Sequence, residues 1–354
     1  MKRYPDPSDL LPIPLVLLID TRSRPYPRLE ASETVTMKNR RGEASLIRDQ
    51  AHELRTELAR KIALFIGSAE NRATNIPGLT LHRRTAPTAP CSMTYEPRVT
   101  VIARGRKRVD LGRTTFIYDA SRFLLTSVDL PVVSRVIEAS EKVPCLALLL
   151  KLEMPVVREV LSRVEIQIEA LADSLGMATG ETTVEFLSAC CRLVDLLDTP
   201  QDVPFLNGLI QREIIYRILR STEGARLRAI ATLGEQSHRT AKAIAWIRAN
   251  YAKPLRVEDL AEIAGMGVST LHHHFRMLTA MSPLQYQKQL RLQAARGRML
   301  MDGLDAASAA FEVGYESASQ FNREYNRFFG QPPMRDMRTL RSPSAPPMES
   351  VGVG

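Results

Sequence analysis

The sequence predicts an α+β chain: an N-terminal β-barrel with flanking helices, then an all-α domain of two helix-turn-helix units joined by a long helix. Three observations predict it. Short β-branched and aromatic runs crowd residues 78–152. Helical periodicity dominates on either side of them. Two segments near the C-terminal end repeat one plan, a short helix, a tight turn and a second helix with apolar anchors.

A length of 354 residues accommodates two domains. Hydrophobic content of 44% and charge of 25% are those of a globular chain with a sizeable core. The net charge of +9 points to an anionic partner, with a solvated basic surface as the alternative. Cys91, Cys145, Cys190 and Cys191 form neither a CxxC pair nor a disulfide framework, which fits a reducing cytoplasm. Lys2 and Arg3 precede the apolar run Leu10–Ile19, but two prolines break it and it is shorter than the ~20 residues a membrane helix needs. No small-residue cleavage site follows it, so neither membrane association nor secretion is expected.

Residues 1–44 are rich in Pro and Arg with no sustained period, and read as a poorly ordered extension. A helix follows near 44–66, with Leu54, Leu58, Ile62 and Phe65 on one face. The strands read as Gly78–His82, Val99–Ala103, Arg108–Leu111, Thr114–Tyr118, Arg122–Thr126, Val132–Glu138 and Cys145–Leu152. Turn signals at Gly105, Gly112, Asp119 and Pro144 separate them, the texture of a small barrel. Three helices follow, Val156–Leu175, Thr182–Leu197 and Pro204–Leu219. The last carries a broad apolar face, a dimerisation element or a packing surface against the barrel. The domain plan is therefore 1–44 extension, 45–220 barrel with helices, 221–239 polar linker with short helical tendencies, 240–338 double helix-turn-helix and 339–354 disordered tail.

In the first unit, Val257–Ala264 leads, Gly265-Met-Gly267 turns, and Ser269–Leu278 follows. Leu271, Phe275 and Leu278 must face a core, which leaves Ser269, Thr270, His272, His273 and Arg276 outward. In the second unit, Ala306–Val313 leads, Gly314-Tyr315 turns, and Ser317 is placed to N-cap Ala318–Phe329. Phe321, Tyr325 and Phe328 are its anchors; Ala318, Ser319, Gln320, Asn322, Arg323 and Asn326 face out. Gln, Asn, Arg and Ser make directional contacts to base edges in a major groove. The joining helix Pro283–Met301 is long enough to set the two units ~one duplex turn apart. Residues 263–301 contain no Asp or Glu but carry Arg276, Lys288, Arg291, Arg296 and Arg298, which suits phosphate contacts. Double-stranded DNA is the expected partner. Ordinary helical hairpins without DNA binding are the alternative.

The stretch Ala310-Phe-Glu-Val-Gly-Tyr-Glu-Ser-Ala-Ser-Gln-Phe-Asn-Arg-Glu-Tyr-Asn-Arg-Phe-Phe-Gly-Gln-Pro-Pro333 closely resembles the signature of the AraC/XylS family of bacterial transcription regulators. Ala243–Tyr251 and Ser282–Leu292 resemble that family too. Tyr95-Glu-Pro97, Gly105-Arg-Lys107, Tyr118-Asp119 and Ser127–Pro131 resemble one subgroup's cupin-like sensing domain. The resemblance covers residues from about 50 to 338 and implies a cupin-like fold for the barrel. It implies base contacts from Ser269, His272 and His273, then from Ser319, Asn322 and Arg323. It also implies an activator that senses a small-molecule effector, recruits RNA polymerase and forms a homodimer. Two departures stand out: Gly267 replaces a usual capping Ser, and Ala280 replaces a usual Gly after the first recognition helix, which would strain that turn.

Effector contacts are expected from Cys91, Tyr95, Arg104 and Arg106. Cys91 reads as a sensor thiol or, preferably, an inert one. Arg98, Arg104, Arg106, Lys107 and Arg108 read as an acidic-ligand pocket or, preferably, a solvated hairpin. His272, His273 and His274 fan out by ~100° each along a helix, so they cannot close on one ion. A metal-dependent cupin enzyme needs about three His and a carboxylate, yet only His82 lies in the barrel segment. Neither a metal nor another cofactor is expected. A barrel enzyme and a non-DNA interaction module are the rival classes.

Overall fold

The computed structural model describes residues 30–164 and 175–341, with side chains from residue 45. The readings for residues 1–29, 165–174 and 342–354 lie outside the described residues. The chain divides at Leu46 into two units. The described part of the first is helical and opens α1 (Glu30–Ile66), so that helix begins well before residue 44.

In the second unit, β1 (Asn71–Ala73), β2 (Leu79–Arg84), β9 (Cys145–Lys151), β4 (Arg98–Arg104), β7 (Arg122–Thr126) and β10 (Met177–Glu181) form one sheet in the order β1-β2-β9-β4-β7-β10. A second sheet runs β3 (Cys91–Tyr95), β8 (Leu130–Glu138), β5 (Arg106–Leu111) and β6 (Thr114–Asp119). Neighbouring strands are antiparallel. The expected barrel is thus two facing sheets.

Alternation along the strands sends side chains to opposite faces. Ile102, Leu124 and Leu149 of the larger sheet meet Tyr95, Val109, Leu111 and Val132 of the smaller one. Val99, Val101, Leu148 and Phe123 point the other way, onto α1, α2 (Met154–Ser162), α3 (Val184–Asp195) and α4 (Val203–Arg220). Phe123 and Phe186 bring their rings to 5.0 Å there. Three strands escape the periodicity: β1 and β10 are short edge strands of poor β-formers, and β3 follows a proline-rich turn. Their pairing with a neighbour overrides weak propensity.

The connector is more ordered than its polarity suggests. Residues Ala225–Ala231 form α5, with Arg226 and Arg228 both buried. Arg228 donates to the carbonyls of Leu219 and Ser221 at the end of α4, and Arg226 donates to Ser237 Oγ at 2.9 Å. The buried Arg228 guanidinium thereby satisfies helix-end carbonyls that would otherwise need water.

The rest is helical: α6 (Gln236–Ala249), α7 (Val257–Ala264), α8 (Val268–Thr279), α9 (Pro283–Met301), α10 (Ala306–Glu312), α11 (Ala318–Phe329) and α12 (Pro333–Arg341). Helix α9 is 19 residues, about 28 Å. Its first half, with Tyr286 and Leu290, packs into the core that also fills the space between the sheets. Its second half, with Leu292, Ala295 and Met299, packs with α10, α11 and α12 in a separate core.

Candidate nucleic-acid interface

The first helix-turn-helix is α7 and α8. Gly265 closes α7 in the left-handed region at φ 65°, and Met266 N–H donates back to the Ala261 carbonyl at 2.9 Å. Glycine supplies that conformation without a Cβ clash. Gly267 occupies the N-cap of α8 with no side chain to cap it. Leu271, Phe275 and Leu278 are buried, and the Phe275 ring meets Tyr286 edge-on at 5.5 Å. Ser269, Thr270, His273 and Arg276 are exposed, whereas His272 is half-buried. His272, His273, Arg276 and Met277 line a shallow open cleft. The His273 and His274 rings stand edge-to-face at 5.2 Å. No group of three His, Cys, Asp or Glu side chains suited to a metal occurs among the described residues.

The second unit is α10 and α11. Asp305 caps α10 by accepting from Ala307 N–H and Ser308 N–H, both at 2.9 Å, and those bonds hold its carboxyl below the usual range. Gly314 turns the chain at φ 89°; a Cβ there would stand 2.0 Å from the Ala252 carbonyl oxygen. Ser317 caps α11, accepting from Gln320 N–H at 3.3 Å. Phe321 and Tyr325 are buried and Phe328 is half-buried. Ser319, Gln320, Asn322, Arg323, Asn326 and Arg327 are exposed on the opposite side.

The basic stretch behaves differently from the sequence expectation. Lys288 pairs with Glu324 at 2.9 Å, and Arg296 pairs with buried Asp336 at 2.7 Å. Arg291 donates to the carbonyls of Tyr251, Ala252, Lys253 and Gly314; its burial pushes the guanidinium below its usual value. Arg298 pairs with Asp302 at 3.0 Å. Arg291 and Arg296 are thereby occupied internally, whereas Lys288 and Arg298 form surface pairs and stay exposed, as does Arg276. Acid-free sequence was a poor guide because the acids that take up these charges come from α11, α12 and the end of α9.

Sequence reading also missed what locks the second unit. Asp336 of α12 accepts from Arg296 through both oxygens, from Tyr325 OH at 2.6 Å and from Gln331 Nε2 at 2.8 Å. Burial and this carboxylate push the Tyr325 phenol far above its usual value. The Pro332-Pro333 pair, with proline at a helix start, was the available signal.

The first unit is tied to the β-domain. Arg248 of α6 pairs with both Glu96 and Asp129. Tyr286 OH donates to the Asp129 carbonyl at 2.9 Å, Gly176 N–H to the Leu278 carbonyl at 2.8 Å, and Thr94 Oγ1 to Gln293 Oε1 at 2.7 Å. Burial raises the Asp129 carboxyl against the opposing pull of Arg248. Ala280, at φ 60°, is the sole non-glycine residue with positive φ among the described residues.

The expected effector residues are scattered over the β-domain. Cys91 is half-buried on β3. Tyr95 is buried, with its OH donating to Ser134 Oγ at 2.8 Å. Arg104 is half-buried at the end of β4. Arg106 is exposed and pairs with Asp119 at 3.5 Å and Glu138 at 3.6 Å. The cation against Tyr95 is instead Arg98, 3.5 Å from the ring centre.

A β-domain joined to tandem helix-turn-helix units defines a DNA-binding transcription regulator. Residues 75–226 match the family described as AraC-type transcriptional regulator N-terminus, and residues 260–339 match a helix-turn-helix domain family. The chain belongs to the AraC/XylS family of transcription regulators. It is 24% identical over 153 residues to the HTH-type transcriptional regulator ArgR of Pseudomonas aeruginosa, covering 43% of this chain and 46% of that one. It is 28% identical over 105 residues to the HTH-type transcriptional activator RhaS of Yersinia pestis, covering 30% of this chain and 38% of that one. The matches therefore span less than half the length of these relatives. Among solved structures, apo ToxT K231A of Vibrio cholerae superposes with a TM-score of 0.51 at 10% identity, covering 76% of this chain and all of that one, a likeness of fold. No helix among the described residues is long and apolar enough to cross a membrane.

Proposed function

We propose that the chain is a cytoplasmic one-component regulator that binds a specific promoter as a homodimer, senses a small molecule through its β-domain and activates transcription by recruiting RNA polymerase. The observation that carries the DNA-reading part is the division of α8 and α11: every apolar anchor is turned in, and a row of Ser, Thr, His, Asn, Gln and Arg side chains is left exposed. Base contacts come from Ser269, Thr270, His272, His273 and Arg276 on the first helix, and from Ser319, Gln320, Asn322 and Arg323 on the second. Ser317 serves chiefly as the cap. The activator role rests on the likeness to RhaS, whose name carries that activity.

The effector signal passes through the junction of the β-domain and the first unit, where Glu96 and Asp129 hold Arg248. A bound state that moves those loops changes the support of α6 and hence the seat of α8. The test is binding of the full chain to duplexes from its own upstream region, at several salt concentrations and with and without added metabolites. Salt-steep binding to one duplex over scrambled competitors supports the reading. Equal, weak binding to every duplex contradicts it.

A further inference from the structure

On one inner face of the β-domain, two nitrogens of half-buried Arg98 and the hydroxyls of Thr100 and Thr126 are left without hydrogen-bond partners. Arg98 stands directly across the β4–β7 ladder from Thr126, and Thr100 lies two residues further along β4. All three share the strand face of Ile102 and Leu124, whose side chains lie in the core between the sheets. Thr100 and Thr126 are 1% and 0% exposed. Their hydroxyls, and the Nε and Nη2 of Arg98, are closed off from solvent and make no hydrogen bond among the described residues. Buried donors in native proteins are almost always paired, so a cluster of four orphaned atoms calls for a missing acceptor.

The chemistry of that acceptor follows from which atoms are idle. Nε and Nη2 are the side-on edge of the guanidinium, two parallel N–H donors spaced for the two oxygens of a carboxylate. The Tyr95 ring under the guanidinium, itself held by its bond to Ser134, fixes the plane of that fork. The two threonine hydroxyls stand on the same sheet face as further donors. Apolar Ile102, Leu124 and Leu149 on that face suit the body of a small organic molecule.

We infer that Arg98, Thr100 and Thr126 form an effector subsite for a small carboxylic acid, seated on Tyr95. This rests on the sensing role proposed above and supplies its ligand class. The site also has a route outward. Arg98 lies two residues beyond Glu96, and Thr126 three before Asp129, so the strand ends that grip the carboxylate run into the two loops that hold Arg248. Of the four residues expected from sequence, Tyr95 belongs to this subsite. Arg106 does not, being already paired at the surface.

The test uses the full chain, Arg98→Met and Thr126→Val, with benzoate, decanoate and 2-oxoglutarate as probes, their uncharged amides as counterparts, and inorganic phosphate as a competing oxyanion. Ligand-free Arg98→Met is expected to melt at or above the wild type, because two buried, unpaired donors are gone. At least one carboxylate is expected to raise the wild-type Tm, its amide much less and phosphate less still. Arg98→Met should lower apparent affinity for that probe by tenfold or more, and Thr126→Val by a smaller factor. A ligand-free Arg98→Met that melts several degrees lower makes Arg98 a structural stacking group and overturns the inference. So does a panel in which phosphate or the amides bind as well as the acids, or in which no acid binds. Carboxylates that bind wild type and Arg98→Met equally place the effector elsewhere, which overturns the subsite and leaves sensing standing. Promoter output that never varies with any metabolite in the wild type removes the sensing role itself.

Discussion

The two helix-turn-helix units follow one plan, yet they are held in opposite ways. The second has a core of its own, built from Leu292, Met299, Ala310, Phe321, Tyr325 and Met337. Both of its helices are side-chain capped, and Asp336 ties it shut. The first shares its core with the space between the sheets. Its recognition helix starts at an uncapped glycine and ends on an alanine in the left-handed region. A self-supporting reader beside one that leans on the β-domain is a division suited to regulation: one unit anchors, and the other answers to its neighbour.

The contrast can be broken from either side. The largest effect is expected from Asp336→Ala, which leaves Arg296 buried without its partner and should cost about 3–5 kcal/mol. Hydrogen exchange should show protection lost in the second half of α9 and in α10–α12 with β4, β7 and β9 unchanged; equal loss in the strands would deny the second unit its independence. Gly314→Ala follows, since its Cβ would meet the Ala252 carbonyl; about 3 kcal/mol is expected, read as a lower melting temperature.

Arg323→Ala should weaken binding to the cognate duplex by about 1–3 kcal/mol and relax specificity at one base pair. Selection from randomised duplexes checks this, and uniform weakening on all sequences would make Arg323 a phosphate clamp. The smallest effect is the most specific to the first unit. Ala280→Gly should relieve about 1 kcal/mol of left-handed strain, partly offset by the flexibility of glycine in the unfolded chain. A fall in stability would show that Ala280 is seated by its contacts.

Acid should separate the units as well. Burial raises the Asp129 carboxyl, so its contribution is present below the ordinary value and declines as pH rises through the raised one. Arg248→Met removes the opposing charge, so its deficit should grow from pH 4 to pH 7. Burial acts upward on Glu324 too, yet hydrogen bonds from Lys288, Tyr315 and Gln320 hold it below its usual value. Asp305 is held low by its capping bonds. Their contributions are present at neutral pH and lost as pH falls through those lowered values.

What could be read in the sequence was periodic or punctuated. Leu271, Phe275 and Leu278 announce a buried face by spacing alone, and Gly314 and Ser317 mark a turn and a cap. The strands with β-branched runs were legible for the same reason. Pairings between distant segments were not. Nothing in the pattern around Arg248 says that Glu96 and Asp129 will take its charge, or that Asp336 will claim Arg296. The same blindness made Arg291 and Arg296 look available to phosphates and hid the burial of Arg226 and Arg228 in the polar connector. Charge is visible in a sequence, but its partner is a property of the fold.

The most direct test of the account is hydroxyl-radical footprinting of the full chain on its cognate duplex. Each protomer is expected to protect two patches on one face of the DNA, with centres about 10 base pairs apart. A single patch, or two patches on opposite faces, would contradict a tandem reader held by α9.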